Sequence, residues 1–161
     1  MKFLKQDGSF DSRTFAKAAE MIITAMDISI CFADFPTEAI GDTTKRYRQL
    51  GIGYANLGAL LMASGLAYDS DGGRALAGAI TSLMSGVTYK RSAELAGIVG
   101  AYDGFARNAQ PHARVMRKHA SASSAAKSFA TMDADVWAAA NKAWDDCLAI
   151  GDKNGWRNAQ I

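Results

Sequence analysis

The stretch "RQLGIGYANLGALLMASGLAY", residues 48–68, runs for twenty uncharged positions after Arg48 and carries glycine at 51, 53, 58 and 65. Water is a poor solvent for such a run, so it belongs in a bilayer, against a nucleotide or inside a protein. Its length matches the roughly 20 residues of a bilayer span. Gln49, Asn56, Ser64 and the four glycines argue against that, although the basic 45–48 flank and acidic 69–71 flank differ in sign. A dinucleotide loop needs G-x-G-x-x-G. Gly51 and Gly53 fit, but Asn56 holds the third position and Gly58 comes two residues late. The interior reading remains. Gly51, Ala55, Ala59 and Ala63 recur every four residues, the spacing of one helical face, and Gly53 joins them as a packing residue. Leu50–Tyr54 could equally be extended, which periodicity does not settle.

The flanking sequence is helical in pattern. Asp11 or Ser12 begins a helix to about Ala33, with Phe15, Ala19, Ile22, Ile23, Met26 and Ile30 at 3.6-residue spacing. Ala18, Met21 and Ala25 widen its stripe, so that helix needs cover on most sides. Pro36 stops it, with residues 34–44 as a connection. A third element spans about Asp71 to Val99, with Gly86 as a possible bend. "GAYDGFARNAQ" reads as a loop, Pro111 as the first turn of a short helix to about His119, and "SASSAAKS" as a linker or frayed helix. A final helix is capped by Asp133 and ends at Gly151 or Gly155, with Val136, Trp137, Ala140, Trp144, Cys147 and Leu148 inward.

Composition narrows the function classes. Of 161 residues, 49% are apolar and 21% charged, as in a soluble globular domain, and a net charge of +2 does not call for a polyanionic partner. Residues 104–132 carry five basic residues and no acid, but stacking aromatics are not interleaved, so no nucleic acid is expected. Complementarity with the acidic last helix, or with another polypeptide, fits better. Cys31 and Cys147 form no CxxC pair and read as buried reduced thiols, His112 and His119 lie too far apart to share an ion, and no metal or membrane is expected. The N-terminus lacks the apolar region of a secretory signal, which makes the expected location cytoplasmic.

Taken together, "AAEMIITAMDISICFADFPTEAIGDTTKRYR", "RQLGIGYANLGALLMASGLAYDSDGGRAL", "YKRSAELAGIVGAYDGFARNAQPHARVMRKHA" and "GWRNAQI" resemble the catalytic subunit of class II ribonucleotide reductases over essentially the whole chain. The resemblance implies a mainly α segment of that family's ten-stranded α/β barrel, residues 1–161, with at most one or two short strands. It implies adenosylcobalamin as the cofactor of the assembled enzyme, none held by this chain alone, and a ribonucleotide as substrate. The family's radical and reducing cysteines fall upstream of Met1 and its phosphate loop downstream of Ile161, so a split gene and an isolated chain without activity are expected. No catalytic residue is assigned. By resemblance, Arg157 and Asn158 lie near the substrate, unless they simply bond backbone at a strand start. Partners are the remaining reductase segments or a second copy. The competing reading is a stand-alone helical interaction protein without catalysis, whose helices close on themselves or in a homodimer.

Overall fold

The structure, a computed structural model, describes residues 2–161. Six helices occur among them: α1 Ser12–Ser29, α2 Glu38–Tyr47, α3 Leu57–Ala63, α4 Asp71–Val99, α5 Phe105–Ala125 and α6 Thr131–Asn154. The expected mainly α architecture is what the chain adopts, and extended pairing among the described residues is limited to an isolated antiparallel bridge between Leu4 and Phe10.

Local chemistry sets the helix starts. Asp11 accepts from the Thr14 amide at 3.0 Å, Thr37 Oγ1 from Ile40 at 3.3 Å and Ser70 Oγ from Gly73 at 3.0 Å. Asp133 is not the cap of α6. It stands on the first turn, where its buried carboxylate accepts from the Phe129 and Ala130 amides at 2.7 and 2.6 Å. That is the backward-reaching half of a capping box.

α4 is the centre of the molecule. It packs along α6 and against α1, and α5 packs against α6 while also touching α4. Leu76, Ile80 and Leu83 of α4 meet Val136 and Ala140 of α6 and Phe15 and Ala19 of α1 in one core. A second core gathers Tyr89, Met116, Trp144, Cys147 and Trp156. α4 runs unbroken past Gly86, contrary to the expected bend. The glycine instead makes room for the Trp144 ring, 3.1 Å from where a Cβ would stand.

Three local expectations fail. α2 occupies residues read as a connection. α5 starts at Phe105 and continues to Ala125, so the region read as a loop, short helix and linker is one helix with Pro111 inside it. Pro111 falls at the seventh helical residue, an interior position where it has no N–H to give the Arg107 carbonyl. The single helical face through Gly51, Ala55, Ala59 and Ala63 is not formed either, because only Ala59 and Ala63 fall in a helix and Leu50–Tyr54 take the non-helical alternative. Residues 51–56 are not helical, and α3 begins only at Leu57.

Candidate functional site

α2 ends in a left-handed residue, Arg48 at φ 50°, which turns the chain into an extended course along the C-terminal segment. The Ala159 amide donates to Tyr47 O at 2.9 Å and the Leu50 amide to Gln160 O at 3.0 Å. Partner numbers rise together, so the two segments run in the same direction. The second segment is also tied to α4 through Arg157 N to Ser92 O at 3.1 Å, and to the start of the α5 region through Tyr102 N to Trp156 O at 3.1 Å.

Beneath this crossing lies a buried polar cluster. Arg48 Nε donates to Asp27 Oδ1 at 2.8 Å and Nη2 to the Asp27 carbonyl at 2.5 Å. Asn158 Nδ2 donates to the same Asp27 Oδ1 and to the Arg48 carbonyl, both at 3.0 Å, while Oδ1 accepts from Ser92 Oγ at 2.7 Å. Arg157 Nε approaches Asp27 Oδ2 at 3.5 Å, and its Nη1 reaches the carbonyls of Val99 and Gly100 at 3.4 and 3.2 Å. Asp27, Arg48, Ser92 and Asn158 are all buried. Burial disfavours the Arg48 cation, but the bonds to Asp27 and Cys31 more than offset this and its pKa is raised. One carboxylate thus holds α1, the end of α2 and the C-terminal segment together.

The expected pair Arg157 and Asn158 is therefore in one cluster, with partners the sequence did not reveal: Asp27, Arg48 and Ser92. Asp27 is a lone acid late in an otherwise apolar helix, and no local pattern marks a carboxylate whose partners lie 21 and 131 positions away. The expected packing set is not brought together. Gly51, Gly53, Ala55 and Ala63 are exposed, Ala59 is half-buried, and a Cβ at Gly51 or Gly53 would meet nothing within 4 Å. The stretch alternates instead. Ile52 and Tyr54 turn inward onto the core, as in a strand with one face covered, and the backbone groups of residues 51–55 find no backbone partner among the described residues.

A second feature flanks the crossing. His112 is stacked on Trp156, ring centroids 4.8 Å apart, and its Nδ1 lies 3.2 Å from Tyr102 Oη, while buried Nε2 has no partner among the described residues. Burial pulls the His112 pKa down to about 4. The unfolded chain, with an ordinary value near 6.5, binds this proton first on acidification. Stability is thus full above about pH 6.5 and falls as pH drops toward 4, by roughly 2 kcal/mol at pH 5 from this residue alone. Urea titrations at pH 7 and 5 should show that slope, and His112→Leu should flatten it. An unchanged slope would mean that His112 is solvated.

The cysteines separate. Cys147 is buried, and burial pushes its thiol up to about 11, as an inert core thiol. Cys31 is exposed, contrary to expectation, because α1 ends at Ser29 and the following turn faces outward. Its sulfur accepts from Arg48 Nη2 at 3.7 Å. Charge complementarity between α5 and α6 is realised in one ion pair, Arg117 to Asp152 at 2.8 Å. No cluster of three or more His, Cys, Asp or Glu among the described residues could hold a metal, and no described helix is long and apolar enough to cross a membrane.

A family model described as ribonucleotide reductase, barrel domain, matches residues 1–161. The vitamin B12-dependent ribonucleotide reductase of Streptomyces avermitilis is 67% identical over 164 residues, covering 99% of this chain and 17% of that protein. The protein of the same name from Streptomyces coelicolor is 65% identical with the same coverage, and that from Rhodopirellula baltica is 42% identical over 99% of this chain and 15% of its own length. The chain thus spans about a sixth of the length of these relatives.

Proposed function

We propose that this chain, which belongs to the ribonucleotide reductase barrel-domain family, serves as a helical segment of an adenosylcobalamin-dependent reductase that converts ribonucleotides to 2′-deoxyribonucleotides. The observation that carries the reading is identity of 67% across nearly the whole chain to a reductase named for its vitamin B12 dependence. Its partner is the remaining reductase polypeptide. The extended residues 51–55 support this, since an inward Ile52 and Tyr54, with backbone unpaired among the described residues, suit a strand of a larger sheet.

When bound, the cofactor supplies radical initiation. The residues present do not offer it a ligand set, because the described His, Cys and acidic side chains form no metal-ligating group and Cys147 is sealed in the core. No step of that chemistry is therefore assigned to this chain, and alone it is inactive. Its contribution is positional. Asn158 has both amide hydrogens and its carbonyl committed within the protein, so it acts as a positioning residue. Arg157 keeps Nη2 without a partner among the described residues, and is the member of the pair suited to face a substrate anion.

The test is complementation. Flanking reductase segments, adenosylcobalamin and a ribonucleotide should yield deoxyribonucleotide when this chain is added. Yield no higher than from the flanking segments alone rejects the proposal and favours a helical interaction protein without catalysis.

A further inference from the structure

Two arginines of the buried cluster share one carboxylate. Arg48 Nε donates to Asp27 Oδ1 at 2.8 Å and Arg157 Nε approaches Oδ2 at 3.5 Å, and no other carboxylate lies within 4.0 Å of either guanidinium among the described residues. One positive charge is therefore in excess, on side chains only 7% and 17% exposed. The Asp27 carbonyl in the last turn of α1, and those of Val99 and Gly100 at the end of α4, offset part of that charge. They do not use up the donors. Arg48 bonds through Nε and Nη2, and Arg157 through Nε and Nη1, so Arg48 Nη1 and Arg157 Nη2 make no hydrogen bond among the described residues. Both reach the surface, since the sealed side-chain atoms without a partner there are His112 Nε2, Trp137 Nε1 and Trp156 Nε1.

We propose that Arg48 Nη1 and Arg157 Nη2 form an oxyanion site, in which a phosphate or carboxylate group balances the charge of the cluster. The chemistry of the donors selects the ligand. A guanidinium NH2 group donates only and stays charged at any ordinary pH, so it is answered by an acceptor, and best by an anionic one. The two groups belong together because both arginines are tied to the same carboxylate. The platform is also set before a ligand arrives. Asn158 donates to Asp27 Oδ1 and to the Arg48 carbonyl, both at 3.0 Å, and Ser92 Oγ holds Asn158 at 2.7 Å. Such preorganisation lowers the cost of binding. Whatever fills the site therefore also stabilises the junction of α1, the end of α2 and the C-terminal segment. The source of the oxyanion, though not the site, rests on the reading of this chain as part of a reductase: it is the phosphate of the ribonucleotide or an acidic side chain of the remaining polypeptide.

Thermal unfolding of the isolated chain tests the site directly. Sodium phosphate in place of sodium chloride, at equal ionic strength, should raise the wild-type midpoint by about 3 °C or more. Arg157→Gln should lose that shift and Arg157→Lys should keep part of it. Because the shift is read rather than the midpoint, a variant of altered stability still gives an answer. In the complementation system the source of the anion separates. Arg157→Gln should raise KM for the ribonucleotide about tenfold or more, with assembly unchanged, if the substrate's phosphate occupies the site. It should weaken binding of the flanking segments about tenfold or more if an acidic side chain does. A phosphate shift that is absent, or equal in wild type and Arg157→Gln, overturns the site, as does a variant with both KM and segment affinity unchanged. Failure of the wild-type chain to bind the flanking segments overturns the reductase reading instead, and the phosphate shift then decides the site by itself.

Discussion

Arg48→Ala should destabilise the chain by about 3–5 kcal/mol, the usual cost of removing one partner from a buried ion pair. The loss exceeds that of one contact. The Asp27 carboxyl, 5% exposed, would be left with only Asn158 and a longer approach from Arg157 as partners. The carbonyl of Asp27 would lose its donor as well. Arg48→Lys should recover only part of the loss, because a single ammonium cannot reach the Asp27 carboxylate, the Asp27 carbonyl and Cys31 from one planar fork. Since a domain of this size has about 5–15 kcal/mol in all, the alanine variant should melt far earlier than wild type. Urea unfolding followed by circular dichroism measures the difference, and a cost under 1 kcal/mol would show that water already screens the cluster.

Trp156→Ala should be comparably severe, about 3–5 kcal/mol, as expected for emptying a buried indole site. Trp156 is 1% exposed, stacks on His112 and lies so close to Gly151 that a Cβ there would run into the indole. α6 ends just before it, at Gly155 with φ 72°, a left-handed conformation that lets the chain double back and bring the ring over the last turn. The variant has a second signature. Water entering the vacated space would resolvate His112, so its pKa should climb from about 4 toward the ordinary histidine value. The acid-side stability slope should then shrink together with the overall loss. A large loss of stability with an unchanged slope would separate the two effects and refute the shared environment.

How far the sequence speaks depends on where the partners lie. α1, α4 and α6 were legible because each is long and carries its apolar residues at helical spacing, and the bounds of α4 agree with the expected Asp71 to Val99. α2 was missed because its ten residues follow a proline and leave only Gly41 buried, so no stripe announces it. α5 was divided because Pro111 reads as a helix start, whereas the helix begins six residues earlier and runs on through the proline at the loss of one backbone bond. The Gly51 to Ala63 spacing left residues 50–54 open between helix and extended chain. A four-residue recurrence of small side chains suits a helix, but alternation of Ile52 and Tyr54 with glycine suits a strand, and burial decided for the second. Within the candidate site, Arg157 and Asn158 were singled out by resemblance, whereas Asp27, Arg48 and Ser92 became visible only when distant segments met.

That distance has a kinetic consequence. Asn158 closes onto Asp27 across 131 positions and onto Arg48 across 110. A ribosome building the chain from its first residue must therefore make α1, α2, α4, α5 and α6 before the last amide arrives to complete the bonds around the carboxylate. Until then the two halves of the lock wait in water, and folding near the crossing should be a late event, slow by comparison with the pairing of α4 and α6.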